Sequence, residues 1–171
     1  MFDDYSVGVG FSRNVLAYCA GHYSDNTAGH MLVRDIGGGT ALNAWAAALG
    51  ATGSSFFDTN ATTADDPTAL WVAEAGGKLG GSAAQAWLYP LLTGTAYENG
   101  IPPGASAGTV VYKTGALDLT ENDTALVLGG AAGPYVLTVL SNGIDESAGT
   151  SLIAGVAIAV AGFEKARTAM P

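Results

Sequence analysis

A single cysteine, Cys19, stands among 171 residues, so no internal disulfide can form and the fold has to hold by packing. Its expected place is that of a small buried apolar residue. Cations are scarce as well: six Lys and Arg face fifteen Asp and Glu, a formal charge of −9. Nucleic acid, which is gripped by clustered Lys and Arg, is excluded as a partner, and an anionic membrane surface with it. A substrate anion would have to be met by one or two well-placed cations. Long apolar runs are missing too. LIAGVAIAVAG, residues 152–162, is too short to cross a bilayer, so no membrane segment is expected. The acidic start MFDDYSVGVG lacks the basic region of an export signal. His22 and His30 lie eight apart with no further Cys or His in support, so neither a metal site nor a cofactor is expected. The glycine run 37–39 lacks the Lys and Ser/Thr of a phosphate loop and reads as a helix-ending turn.

What is present suits one globular domain over residues 1–171, with 49% hydrophobic and 12% charged residues. Val15, Leu16, Cys19 and Ala20 have helical spacing within 12–22, and Ser12 is placed to cap them. A second helix is predicted from Thr27 to Ile36 and a third from Thr40 to Leu49. Thr63, with Asp66 three residues on and Pro67 next, reads as the start of a fourth, to about Ala75. A fifth covers Ser82 to Leu92, and 98–108 reads as loop. Trp45, Trp71 and Trp87 fall on these helices as expected core residues. From Thr109 the character changes. TVVYKTGALDL, TALVLGG and PYVLTVLSNG are rich in Val, Leu, Thr and Tyr and predict a three-stranded antiparallel meander. Ser147 to Met170 closes the chain as a long apolar helix suited to that sheet. The order helices, three strands, helix is an α+β fold.

Two triplets could carry chemistry. Ser24-Asp25-Asn26 sits at a helix-to-helix turn, and Lys113-Thr114-Gly115 on the first strand. Taken singly, the first is also what a self-capping polar turn looks like, and the second what an exposed strand end looks like. Together, in this order and between these elements, they resemble the penicillin-recognising serine hydrolases: class A β-lactamases and D-alanyl-D-alanine peptidases. The signature of that group is S-x-x-K, then S-D-N, then K-T-G. The flanking YSDNTAGHML, LLTGTAYENGIPPGASAGTVVYKTG and ENDTALVLGGAAGPYVLTVLSNG extend the likeness from about residue 12 to 166.

The resemblance implies acyl-serine chemistry on β-lactams or D-Ala-D-Ala peptides, in a periplasmic or extracellular setting that this chain alone does not fix. It implies catalytic roles for Ser24, as relay of a proton to the leaving nitrogen, and for Lys113, as source of positive potential. Asn26 would meet the substrate's side-chain amide, Thr114 its carboxylate, and Ala116 would offer its N–H to the oxyanion. Gly115 would leave room for substrate along the strand edge, and Asp25 would brace the turn.

One part of the signature is missing. Three residues before the lysines stand Ala75, Val110 and Gly162, none of them serine, so S-x-x-K is absent from these residues. The family's N-terminal strands and nucleophile helix have no room ahead of Ser24. The expectation is a partial domain, the C-terminal part of a longer protein, inactive alone. The missing motif would come from an upstream segment or a second chain, and an uncovered sheet edge would invite a partner or a homo-oligomer. The loop before the fourth helix also lacks the family's deacylating glutamate, offering only Asp58, Asp65 and Asp66. A degenerate member that binds a carboxylate without chemistry, or a purely structural fragment, are the alternatives.

Overall fold

Apolar residues three and four apart at one end of the chain, and β-branched runs at the other, produce two packed layers on a small sheet. A computed structural model describes residues 10–57, 59–105 and 108–169. Helix α1 (Arg13–His22) starts where the sequence places it, with the Ser12 hydroxyl accepting from the Val15 N–H. Helices α2 (Asn26–Asp35) and α3 (Gly38–Ala48) follow, joined through Gly37 at φ 105°. The glycine run thus turns the chain at its first residue, and its other two open the next helix.

Helix α4 (Asp65–Ala75) lacks the predicted cap. Its cap residue is Ala64, and Asp66 is buried, accepting from the Ser54 hydroxyl at 2.6 Å. A carboxylate that would have capped its own helix instead pins the preceding loop. Helix α5 (Gly81–Leu88) tightens into a 3-10 turn, Tyr89–Leu92. Pro90 has no N–H to continue an α-helix, which the single predicted helix over 82–92 did not register. The expected 98–108 loop contains a short helix, α6 (Ile101–Gly104), opened by Pro102.

Strands β1 (Val110–Leu117), β2 (Thr120–Val127) and β3 (Tyr135–Leu140) form the expected antiparallel sheet in the order β1-β2-β3. Period-two alternation gives the sheet two working faces. On one, Tyr112, Ala125 and Val127 pack with Ile101, Ala105, Ile153 and Ala157, the last two from helix α7 (Glu146–Arg167). On the other, Val111 and Leu126 pack with Trp71 of α4. The Tyr112 hydroxyl, buried in this arrangement, accepts from the N–H and the hydroxyl of Thr95. Of the three tryptophans only Trp71 is core. Trp45 and Trp87 are about half exposed, because their helices lie at the rim, and Trp87 donates to Asn14.

At 22 residues and mean hydropathy 1.4, α7 is long and apolar enough to cross a membrane, more than the run 152–162 suggests. Composition alone does not separate a span from a core helix, and Ile153 and Ala157 are wholly buried against the sheet. Helix α6 approaches α7 so closely that a Cβ on Gly104 would lie 2.6 Å from the Ala154 carbonyl oxygen and from the Ala157 Cβ. Backbone cannot yield there. Gly104→Ala is therefore expected to destabilise the fold by ~1–3 kcal/mol, read as a lower urea midpoint at unchanged slope.

Candidate active site

The first triplet is built by two helix ends meeting. The N–H groups of Tyr23 and Asp25 both donate to the Cys19 carbonyl, closing α1. The Asp25 carboxylate accepts from the Ala28 N–H at 2.7 Å, capping α2. Asp25 therefore braces the turn. Held from both sides, Ser24 adopts φ 55°, a left-handed conformation that costs a residue with a Cβ ~1–2 kcal/mol and points to a fixed side-chain position. Cys19 itself is half-buried.

The second triplet reaches the first through one side chain. The Lys113 ammonium, on β1, donates to the Ser24 hydroxyl at 2.5 Å and to the Thr114 carbonyl at 2.7 Å. Residues 89 apart in sequence are thereby joined. Burial lowers the pKa of Lys113 below the ordinary lysine value, and the negative charge of Asp123 acts against that lowering. An ammonium has three N–H donors. Two are spent on the protein and one is left, while the single proton of Ser24 is not used in holding the lysine.

The remaining sequence-predicted residues divide. Asn26 opens α2 beside Ser24 and is exposed. Gly115 and Ala116 are exposed at the outer end of β1, a strand paired, among the described residues, on one side only, with β2. An unpaired strand edge is where an extended ligand can add. Thr114 points away from the Ser24–Lys113 contact by the alternation of the strand. It lines a separate cavity of about 140 Å³ with Ala116, Asn122 and Asp123. Beside Lys113 an open, largely apolar groove of about 230 Å³ runs between α4 and the sheet, lined by Leu70, Trp71, Leu92 and Thr124. Glu74 lies in it, buried, with Oε1 unpartnered among the described residues and its pKa raised by that burial.

Three features were not legible in the sequence. Asn43 exchanges two hydrogen bonds with the backbone of Phe56, fastening the 51–62 loop to α3. Thr68, Thr138 and Thr124 form a chain of hydroxyls at 2.8 Å that stitches α4 to the sheet beside Lys113. Asp123 is buried on β2 next to the Lys113 register position. Of the loop acids, Asp66 is engaged by Ser54, and Asp58 lies outside the described residues. His22 stacks on Tyr18 and His30 meets the Phe57 ring edge-on, and among the described residues no cluster of three or more His, Cys, Asp or Glu is placed to hold a metal.

A profile of the β-lactamase enzyme family matches residues 1–162. No curated protein sequence matches the chain. Among solved structures, the chain is similar to the class A β-lactamase of the last common ancestor of Gram-negative bacteria, with TM-score 0.81 and 27% identity over 94% of this chain and 68% of that one. It shares its fold with PBP-A, at TM-score 0.82 and 23% identity over 91% of this chain and 62% of that one. A PBP-A mutant solved as an acyl-enzyme complex with penicillin G gives TM-score 0.83 at 22% identity, over 96% of this chain and 67% of that one. The chain thus spans about two thirds of the length of these structures, in an α+β arrangement of the same kind. It belongs to the β-lactamase enzyme family.

Proposed function

We propose that residues 1–171 form the relay and carboxylate-binding part of an acyl-serine hydrolase acting on β-lactams or D-Ala-D-Ala peptides. The nucleophilic serine of S-x-x-K is supplied by a segment or chain outside these residues. The observation that carries this reading is the Lys113–Ser24 contact. In acylation, the nucleophile's oxygen bonds to the amide carbonyl carbon as its own proton passes to a base that comes with S-x-x-K and from there back to Ser24, and the C–N bond breaks. The leaving nitrogen needs a proton, and the Ser24 hydroxyl, whose hydrogen is not used in accepting from Lys113, can deliver it. The ammonium hydrogen-bonded to Ser24 Oγ offsets negative charge on that oxygen during the transfer. The third N–H of Lys113 is available to the substrate carboxylate, in a chain with few other cations. Asn26 serves the substrate's amide, and the edge of β1 at Gly115 and Ala116, unpaired among the described residues, takes its backbone and offers the oxyanion donor. The acyl-enzyme state recorded for PBP-A with penicillin G supports this chemistry on the same fold.

Intact-mass spectrometry after incubation with excess benzylpenicillin tests the proposal. The expected result is no covalent adduct on the chain alone, and a stoichiometric one when a segment carrying S-x-x-K is co-expressed. An adduct on the chain alone would place the nucleophile within these residues and overturn the division of the site. The absence of S-x-x-K here favours one second reading, a member that holds a carboxylate ligand without chemistry. That reading predicts reversible binding and no adduct under either condition.

A further inference from the structure

Across the sheet from the relay, β2 buries a carboxylate that the relay itself does not touch. Asp123 is 1% exposed, and its register partner on β1 is Thr114, whose carbonyl accepts from the Lys113 ammonium. Its Oδ2 accepts from the Ile101 N–H at 2.8 Å, while Oδ1 has no hydrogen-bond partner among the described residues. The turn that supplies that N–H comes so near that a Cβ on Gly100 would lie 2.4 Å from Oδ2. One side chain thus ties the chain segment entering α6 to β2, the strand paired with the one that presents Lys113. A buried carboxylate is a costly structural choice, since its charge loses its hydration on folding.

We propose that Asp123 is the positioning residue of the Ser24–Lys113 pair. From the opposite face of the sheet it supplies an internal counter-charge to the Lys113 ammonium, and it fixes β2, on which β1 is paired at Thr114, to the Gly100–Ile101 turn. The role rests on the proposed relay, and it acts through Lys113 rather than on substrate.

The surroundings make Asp123 responsive to pH. Glu121 from its own strand, Tyr97 from the segment before α6, and Glu146 and Thr150 from α7 line the same cavity, while the Tyr112 hydroxyl feels its charge and Lys113 acts on it from the opposite face of the sheet. Burial pushes its pKa from 3.8 up to about 6, tempered by the Ile101 and Thr124 backbone hydrogen bonds and by Lys113. Below that pH the counter-charge is lost and Lys113 is left as a desolvated cation without compensation.

The chain has three lysines, Lys78, Lys113 and Lys165, so each ε-methylene can be followed by NMR. In the wild-type chain the Lys113 signal is expected to inflect near pH 6, reporting Asp123, and to titrate below the ordinary lysine range. In Asp123→Asn, which keeps the acceptor for Ile101, the inflection near 6 disappears and the lysine's own titration falls by a further ~0.5 unit or more. Glu121→Gln removes another buried carboxyl of the same cavity and is expected to leave both features in place. A wild-type Lys113 signal with no inflection near 6 would overturn the proposal without any variant. So would a Lys113 titration that is unmoved in Asp123→Asn or that follows Glu121 instead. The titration involves no substrate, so its failure is separate from a failure of the benzylpenicillin experiment.

Discussion

Asp123→Asn is expected to raise the unfolding free energy at pH 7 by ~1–3 kcal/mol over the wild-type chain, and the difference is expected to close as the pH falls. The sign follows from where the proton sits. An aspartate with an ordinary value of 3.8 in the unfolded chain titrates at about 6 in the folded one. Below 3.8 both states carry the proton and no penalty exists. Between 3.8 and 6 the unfolded chain has released its proton while the fold retains it, so stability falls steadily as pH rises. Above 6 the folded carboxylate is charged and buried, and the loss, ~3 kcal/mol for about two units, is complete. Asparagine has nothing to titrate and can use its amide where Oδ1 stands idle. Glu74 and Glu121, whose values burial also raises, keep some slope of the same sign in the variant. Urea unfolding at intervals from pH 4 to 8 reads the effect. Equal stability of the two proteins at pH 7 would mean that Asp123 is satisfied by something other than what its neighbours provide.

The part of the fold that was legible in the sequence is the part fixed by local periodicity. Val15, Leu16, Cys19 and Ala20 gave α1 with its Ser12 cap, and the Val- and Thr-rich runs placed β1 and β3 closely, while TALVLGG, residues 124–130, caught only the second half of β2. What escaped is decided by tertiary neighbours. Thr63 has the spacing of a cap, but Asp66 turns to Ser54 and α4 begins two residues later than Thr63. Trp45 and Trp87 have the composition of core residues, but their helices lie where nothing among the described residues covers them. At the site, the triplets identified Ser24 and Lys113 as candidates, because their chemistry needs those residue types. Nothing in Glu-Asn-Asp-Thr at 121–124 distinguishes a buried aspartate from a polar turn. That distinction depends on Ile101 and Gly100 arriving from another part of the chain.

Lys113→Met is the complementary experiment, and its largest effect is expected on ligand rather than on fold. Methionine fills nearly the same volume in the groove beside Trp71 and Leu70, so the sheet and α4 keep their packing. The charge is what disappears. A charge-assisted hydrogen bond contributes ~1.5–3 kcal/mol, so retention of a carboxylate ligand such as benzylpenicillin should weaken by roughly 10- to 100-fold. Ser24 loses the donor that leaves its own hydrogen free, and Asp123 loses the attraction that holds its pKa down, so the acid limb of stability should move above pH 6. Titration calorimetry with benzylpenicillin and with its methyl ester separates charge from shape. If Lys113 reads the carboxylate, the ester binds wild-type protein about as weakly as the acid binds the variant, and the variant no longer distinguishes the two ligands. If the variant still prefers the acid, the carboxylate is held by another group. The Lys113–Ser24 contact would then be a structural strut between β1 and the α1–α2 turn, and the proposed relay would have to be abandoned.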